Sequence, residues 1–200
     1  MINVYFDTEF CGLKKSTDLI SIGLVTEEGK TFYGEFSDFD QSVYADPWLK
    51  SNVLNNTVYL KDGVPNTVHV GSPDSDHQII FGSKDMIRNC LEQFLESIRG
   101  KEDIQLVSDV CHYDMVLFID IFKDAFHLPD FISPCCVELN QMIAKYYNIT
   151  GYEAFDKNRE GILKEHGIPL PTTSIGDKHN SLFDAKVIYE IYKIVTKKQE

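Results

Sequence analysis

The chain begins with MINVYFDTEFCG, residues 1–12. Residues 3–8 are mostly apolar or β-prone and predict a strand, and Asp7 and Glu9 stand two positions apart at its end. Side chains at positions i and i+2 of a strand point to the same face, so the two carboxylates lie side by side. Because burying either charge without a partner is costly, another group must neutralise the pair.

The composition is that of an acidic globular protein. Of the 200 residues, 43% are hydrophobic and 25% are charged, and 31 acidic against 19 basic side chains give a net charge of −12. A protein that holds duplex nucleic acid by its phosphates is normally basic. The charge therefore excludes a passive nucleic-acid coat, but it is compatible with a nuclease that uses bound divalent cations.

Cysteine usage and hydropathy favour a cytoplasmic protein that has no membrane association. The five cysteines include no CxxC pair and therefore predict free thiols in a reducing compartment. The N-terminus has no basic, signal-like segment. No apolar stretch reaches the length of about 18 residues that a membrane span needs.

The periodicity predicts a mixed α/β sheet flanked by helices, formed as one domain over residues 1–200. Its first half predicts strands at 3–8, 19–26 and 30–36, the last two joined as an antiparallel hairpin by residues 27–29. Next come a helical turn around Trp48 and a surface loop over residues 66–82, with a short hairpin as an alternative within it. The second half predicts helices at 83–100, 113–126, 137–147, 157–166 and 181–197, and strands at 104–108 and 131–133.

Two later segments bring further carboxylates to the same edge of this sheet. Asp109 ends the strand 104–108, and Asp114 follows in the first turn of the next helix. Asp184 lies on the first turns of the last helix, where the helix dipole favours a negative charge. Hard oxygen ligands of this kind suit Mg²⁺ or Mn²⁺. Two such ions, about 3.5–4 Å apart, would hold a phosphodiester between them.

His179 precedes Asp184 by five residues and is a candidate general base for water, since the pKa of an imidazole is ordinarily near neutral. Each of these residues also has a simpler interpretation. A single Asp in a first helical turn is usually a favourable charge at the helix dipole, and a single loop histidine is usually solvated. The occurrence of all the motifs together favours a metal site.

FDTEF, YDMVLF and HNSLFDA, in this order, resemble the three motifs of the DEDDh-type 3′→5′ exonucleases. The similarity extends over nearly the whole chain. It implies a ribonuclease H-like fold: an antiparallel hairpin plus parallel strands in one mixed sheet, flanked by α-helices. It also implies His179 as the general base and four ligands for two Mg²⁺ or Mn²⁺ ions: Asp7, Glu9, Asp114 and Asp184.

The resemblance implies a metal-dependent exonuclease that hydrolyses phosphodiester bonds from the 3′ end of a single-stranded nucleic acid, RNA in preference to DNA. The products would be nucleoside 5′-monophosphates. Members of this family are often homodimers, so a second copy of the chain is an expected partner. The segments LISIGLV and WLKSNVL are similar to the RNase AS-like exoribonucleases, which act on adenylate-rich RNA 3′ ends.

Three residues beside the motifs are predicted to contact the substrate. Thr8 and Phe10 would cradle the terminal nucleotide by backbone contact and stacking, with core packing as the alternative for Phe10. Many members of the family carry an Asn shortly before the second-motif Asp, where this chain has Asp109. We interpret Asp109 as replacing that polar group near the metals or the scissile phosphate. An exchange of roles between Asp109 and Asp114 stays open.

Three other functions are compatible with these residues. The chain could be a DNA exonuclease, or a catalytically inactive exonuclease fold that binds nucleic acid or protein. A phosphatase with an aspartyl nucleophile is the third, although that chemistry would favour a second Asp where Glu9 stands. Trp48 could stack on a base, but packing in a core or an interface is the more frequent role of a single Trp.

Overall fold

Seven strands form one sheet in the computed structural model, which describes residues 1–14, 16–72, 75–173 and 176–197. The strands are β1 (Ile2–Phe10), β2 (Leu19–Thr26), β3 (Thr31–Phe36), β4 (His69–Val70), β5 (His77–Gly82), β6 (Ile104–Ser108) and β7 (Val137–Glu138). The helices are α1 (Pro47–Asn52), α2 (Lys84–Arg99), α3 (Cys111–Ile121), α4 (Leu139–Tyr147), α5 (Gly151–Asp156), α6 (Arg159–Glu165) and α7 (Ser181–Thr196). Among the described residues, no helix is both long enough and apolar enough to span a membrane.

The sheet is mixed, as predicted, with the strand order β4-β5-β3-β2-β1-β6-β7. β1, β2 and β3 are antiparallel neighbours, whereas β6 runs parallel to β1 and β5 parallel to β3. β6 pairs with β1 only as far as Tyr5. The second half of β1 therefore continues past the end of β6 and leaves an open position beside Asp7 and Glu9.

Alternation along β1 decides which layer of helices each of its side chains meets. Phe6 packs against Phe118 of α3, with the ring centroids 5.4 Å apart. Tyr5 packs on the opposite face against Tyr189 of α7, at 4.8 Å. By the same alternation Thr8 points toward the α3 layer, while Asp7 and Glu9 share the face that α7 covers.

The element boundaries differ from the prediction at two helices. The helix predicted at 113–126 is α3, which begins at Cys111 and ends at Ile121. Lys123 has a φ of +77°, which interrupts the helical path, and a separate 3₁₀ turn follows at Ala125–His127. α5 was not predicted; its capping box at Thr150 and Glu153 was a detectable signal.

Three strand assignments were also incomplete or wrong. Within the loop predicted at 66–82, the alternative of a short hairpin is confirmed by the antiparallel pair of β4 and β5. The pairing of β5 with the full length of β3 was not predicted. The strand predicted at 131–133 is reduced to one bridge between Ile132 and Ile104. Residues 137–138, predicted as the start of a helix, extend the sheet beside β6. Each of these short segments gains its backbone partners from distant strands, which local periodicity does not reveal.

Gly23 of β2 determines how closely α7 approaches the sheet. Gly23 is paired with Asp7 of β1. A Cβ atom at Gly23 would lie 2.2 Å from the backbone nitrogen of Leu182. The start of α7 therefore contacts the backbone of β2 directly, and Ser21 and Ser181 hydrogen bond through their hydroxyls at 2.9 Å. This contact fixes the first turn of α7 beside the end of β1.

The first prediction concerns Gly23→Ala, which should force α7 away from β2. Because the clash is with backbone atoms, we expect the free energy of unfolding to fall by at least the roughly 1–3 kcal/mol typical of overpacking. Thermal and urea unfolding measure this change. Gly151→Ala is the matched control, since no described atom lies within 4 Å of a Cβ there. Equal stability of the two variants would contradict the close contact.

Candidate active site

Asp7 and Glu9 lie on one face of β1, as the alternation of the strand predicts. Both side chains are partly buried, and between them Thr8 is almost fully buried on the other face. β2 and the first turn of α7 cover one side of this strand end. The carboxylates therefore face a partly enclosed space with α7 as one wall.

Asp114 of α3 fills the position that β6 leaves open. Its Oδ1 accepts hydrogen bonds from the backbone N–H of Thr8 at 3.1 Å and from the Thr8 hydroxyl at 2.5 Å. Its Oδ2 accepts the hydroxyl of Ser108, the last residue of β6, at 2.7 Å. Because β6 ends there, Asp114 satisfies a backbone donor of β1 that has no strand partner on that side.

Asp184 and His179 are brought to the same place by the start of α7. Asn180 caps α7, and its Oδ1 accepts the backbone N–H groups of Leu182 and Phe183. His179 precedes the cap with a φ of +63°, and its backbone N–H donates to Asp184 Oδ2 at 2.9 Å. The turn therefore fixes the histidine and the carboxylate with respect to each other.

Glu9, His179 and Asp184 form a group with metal-ligand spacing. One potential ligand atom from each lies within 4.8 Å of the other two. Segments far apart in the sequence therefore meet here, with β1 supplying Glu9 and the start of α7 supplying His179 and Asp184. Either a shared cation or a carboxylate–imidazole proton relay could use this spacing.

The electrostatics of the four acidic residues favour a bound cation. Burial raises the pKa of Asp7 well above its usual value, and the nearby carboxylates of Asp114, Asp184 and Glu9 raise it further. Burial, followed by the charges of Asp184 and Asp114, raises the pKa of Glu9 well above its usual value. Burial is also the main cause that raises the pKa of Asp114 to about 6 and that of Asp184 to about 7. Four carboxylates that resist ionisation together suit a divalent cation, which would replace their protons.

Within residues 1–14, 16–72, 75–173 and 176–197, no ion pair joins these four carboxylates to a lysine or an arginine. Lys178 lies near enough to lower the pKa of Asp184 through its charge, although the hydrogen bond from the His179 backbone lowers it more. The space between the carboxylates is thus free of the counter-ion that would argue against a metal site. The donor set fits Mg²⁺ or Mn²⁺.

The imidazole of His179 is suited to accept a proton. Burial, followed by the charge of Lys178, lowers the pKa of His179 below its usual value, so the ring is neutral at neutral pH. The ring is half-buried and lies edge-on to Trp48, with the centroids 5.4 Å apart. Trp48 itself is 56% exposed and does not pack in the core; stacking on a base and packing in an interface stay predictions.

Asp109 is held by a residue that the sequence analysis did not single out. Arg159 of α6 binds both oxygens of Asp109 through Nε and one terminal nitrogen, the latter at 2.8 Å. The same guanidinium donates to Asn140 and to the carbonyl groups of Ala154 and Lys157. Asp109 therefore anchors the start of α3 to α6. Its proposed contact with the substrate stays a prediction, and the structure favours Asp114 for the position beside Asp7.

Thr8 and Phe10 differ in their access to a ligand. Thr8 is 4% exposed, and both of its donors are used by Asp114, so it orients that carboxylate. Phe10 is partly buried, and its ring lies 6.5 Å from that of Tyr113. Both rings line a cleft of about 290 Å³ beside the end of β1. Contact of either residue with a nucleotide stays a prediction.

The second prediction concerns how metal binding and pH affect stability. Since the pKa values of Asp114 and Asp184 are about 6 and about 7 against a usual 3.8, the native protein binds more protons than the unfolded chain in this range. The free energy of unfolding of the metal-free protein should therefore fall as pH rises from about 4 through about 7.

At pH 8, a divalent cation should restore the free energy of unfolding that the metal-free protein loses. Free Mg²⁺ at a hundred times its Kd should add about 2.7 kcal/mol, or roughly 5–10 °C in Tm for a chain of this size. Differential scanning fluorimetry with chelator or with added Mg²⁺ or Mn²⁺, at pH 5 and pH 8, measures both effects. A metal-independent Tm at pH 8 would contradict the assigned ligands.

Comparisons with known proteins found similar exoribonucleases. No protein-family model matches the chain. Two curated relatives, both named 3′-5′ exoribonuclease and both from Mycobacterium tuberculosis (strains CDC 1551 and H37Rv), are 26% identical to it over 192 residues. The alignments cover 96% of this chain and 92% of each relative.

Solved structures share the fold. The nuclease domain of 3′hExo, described as a DEDDh family member bound to rAMP, superposes with a TM-score of 0.62 at 14% identity, over 98% of this chain and 92% of that one. Pop2p of S. pombe, in its Mg²⁺- and Mn²⁺-bound form, superposes with a TM-score of 0.61 at 15% identity. The superposition covers 98% of this chain and 83% of Pop2p. The predicted ribonuclease H-like fold is thereby confirmed.

Proposed function

We propose that this chain, whose motifs, fold and curated relatives are those of the DEDDh-type 3′-5′ exonucleases, removes nucleotides one at a time from the 3′ end of single-stranded RNA. The reaction is hydrolysis of a phosphodiester bond, and the products are nucleoside 5′-monophosphates. The observation that carries this proposal is the convergence of Glu9, His179 and Asp184 within 4.8 Å. All three residues stand at positions that the motifs assign to this chemistry.

The acidic residues of the site would hold two Mg²⁺ or Mn²⁺ ions. Asp7, Glu9 and Asp184 line the space between β1 and α7, and Asp114 would hold the outer ion from α3. When bound, such ions act as Lewis acids that polarise a phosphate oxygen and lower the pKa of water. The raised pKa values of these carboxylates support the assignment, because buried carboxylates that repel one another are stabilised when a cation neutralises them.

His179 would accept the proton of the attacking water. Its ring is neutral at neutral pH, and one of its nitrogens lies within 4.8 Å of a carboxylate oxygen of Glu9 and of Asp184, so the ring can take up a proton beside the acidic cluster. Thr8 and Ser108 would keep Asp114 in place during the reaction. Because the net charge is −12, the affinity for RNA would come from the metal site and a few terminal nucleotides, not from an extended basic groove.

RNA is favoured over DNA as the substrate. The two curated relatives are named exoribonucleases. Among the structural neighbours, one is a 3′-exonuclease that recognises a histone mRNA stem-loop and another was solved with rAMP. A preference for adenylate-rich 3′ ends and assembly with a second copy of the chain stay predictions.

The test uses four labelled 16-mers: RNA and DNA of one mixed sequence, an oligoadenylate RNA, and the mixed RNA with a 3′-phosphate. Each is incubated with Mg²⁺, with Mn²⁺ or with chelator, and the products are separated by chromatography. We expect metal-dependent release of 5′-monophosphates from the free 3′ end, faster for RNA than for DNA.

The alternative functions predict other outcomes. If DNA is digested faster than RNA, DNA is the preferred substrate. Binding of RNA without release of nucleotides would favour an inactive binding module. The inactive module is disfavoured because every acidic position and the histidine of the motifs are present. Turnover of an aryl phosphate without exonuclease activity would favour a phosphatase.

A further inference from the structure

The α1 segment, defined as residues 46–60, forms a firmly held surface beside the site. Asp46 caps α1 by accepting the backbone N–H groups of Trp48 and Leu49. Four apolar side chains of the segment are buried in one hydrophobic cluster with Phe81: Leu49, Val53, Leu54 and Leu60. At the C-terminal end of the segment, the buried carboxylate of Glu35 accepts hydrogen bonds from three backbone N–H groups: those of Val58, Tyr59 and Leu60. The segment can therefore act as a fixed support.

This segment is hydrogen bonded to the histidine turn, which we define as residues 176–180. Asn56 Nδ2 donates to the carbonyl oxygen of Lys178 at 2.8 Å and to that of Asn52 at 2.7 Å. Asn180 Nδ2 donates in the opposite direction, to the carbonyl oxygen of Asn56 at 2.8 Å. A Cβ atom at Gly176 would lie 2.5 Å from that same oxygen, so the two backbones approach as closely as a glycine allows.

The conformation of His179 requires support from outside the turn. Its φ of +63° is in the left-handed region, which a residue with a Cβ seldom adopts. On one side its N–H is bound by Asp184. On the other side its ring rests against Trp48, which belongs to the α1 segment. Asn56 binds the carbonyl of the residue immediately before His179, at the point where the backbone enters this conformation.

We propose that Asn56 is a positioning residue for His179, acting through the carbonyl group of Lys178. Its side-chain amide fixes the entry to the left-handed turn and thereby directs the imidazole toward Glu9 and Asp184. This inference rests on the proposed function, since it assigns Asn56 a part in that reaction. Asn56 touches neither the acidic cluster nor the imidazole through any described hydrogen bond, so its effect on turnover passes through the turn.

The first readout requires no catalysis. Trp48 is the single tryptophan of the 200 residues, so its fluorescence reports the position of the His179 ring that packs on it. We expect Asn56→Ala and Asn56→Asp to change the emission in the same direction as His179→Ala. In a His179→Ala background, the Asn56 substitutions should cause no further change. Asn55→Ala and Asn55→Asp are matched controls, because Asn55 is the exposed neighbour.

The second readout is the division of the effect between kcat and KM. Because misplacement of a base slows the chemical step, we expect Asn56→Ala and Asn56→Asp to lower kcat on the order of ten- to a hundredfold. KM should change by less than about twofold. In the double variant with His179→Ala, no further loss of kcat is expected, since the residue being positioned is gone.

Several outcomes would overturn the proposal. Unchanged emission and kcat in a folded Asn56→Ala protein would do so, as would losses that add fully to those of His179→Ala. Equal losses in the Asn55 controls would indicate a general effect on the segment and would also overturn it. If His179→Ala keeps full activity while Asn56 variants still change the Trp48 emission, the contact is supported and the base of the proposed function is wrong.

Discussion

Replacing Asp7 with asparagine is expected to lower kcat for 3′-terminal nucleotide release by about a thousandfold, the equivalent of about 4 kcal/mol of transition-state stabilisation. Asp7 lies at the centre of the cluster, where Asp114, Asp184 and Glu9 all act on its carboxyl group. The amide has nearly the same shape but lacks the charge that holds a divalent cation. The measurement is steady-state release of nucleotides from a single-stranded RNA over a range of Mg²⁺ concentrations.

The same substitution should have the opposite effect on the metal-free fold. Because Asp7 is crowded by like charges, its replacement removes repulsion, and we expect the Tm in chelator at pH 8 to rise. The increase of Tm on adding Mg²⁺ should shrink. A substitution that lowers activity while it stabilises the fold is typical of a residue that serves function.

Asp103→Asn is the matched control for Asp7→Asn. Asp103 is exposed and precedes β6 at the opposite end of the sheet from the cluster, so the same change of charge there should leave kcat and the metal-dependent Tm unaltered. If Asp7→Asn behaved like this control, Asp7 would not be a metal ligand and the proposed function would lose its main residue.

Replacing His179 with alanine is expected to lower kcat by roughly a hundred- to ten-thousandfold, the range for loss of a general base. The increase of Tm on adding Mg²⁺ should persist, because Mg²⁺ prefers the oxygen ligands that remain. An atom of His179 lies close enough to Glu9 and Asp184 to share a cation with them, so the geometry allows His179 to be a metal ligand or a general base. This pair of results separates the two roles. Kinetics and differential scanning fluorimetry on the same samples measure both.

His127→Ala is the control for the histidine substitution, since His127 is exposed and pairs with Asp124 in the 3₁₀ turn that follows α3, outside the three motifs. It should match the unaltered protein in both assays. Loss of the Mg²⁺ effect in His179→Ala would make that residue a ligand, whereas full activity would show that another group takes the proton.

The sequence predicted the parts of the fold that local patterns determine. The boundaries of β2 and β6 were correct because both strands are apolar runs between polar residues. The spacing of Asp7 and Glu9 predicted their common face, and the apolar periodicity of residues 181–197 predicted α7. The structure also brings Glu9, His179 and Asp184 together, as the order of the motifs implied.

What the sequence did not predict depends on contacts between distant segments. The pairing of Asp109 with Arg159 joins residues fifty positions apart, and nothing in either local pattern indicates it. The closeness of α7 to Gly23 likewise becomes visible only in three dimensions. The hydrogen bonds from Thr8 to Asp114 were not predicted either, while the contact of Thr8 with a nucleotide stays a prediction.

The way Asp114 completes β1 has a consequence for β-pairing between molecules. A strand that outruns its neighbour presents unpaired N–H and C=O groups, and such an edge recruits strands from other molecules. Here the carboxylate of Asp114 occupies the Thr8 N–H and closes that edge. A substitution at Asp114 would thus remove a proposed metal ligand and also open a site for intermolecular β-pairing, so we expect loss of activity in such a variant to be accompanied by aggregation.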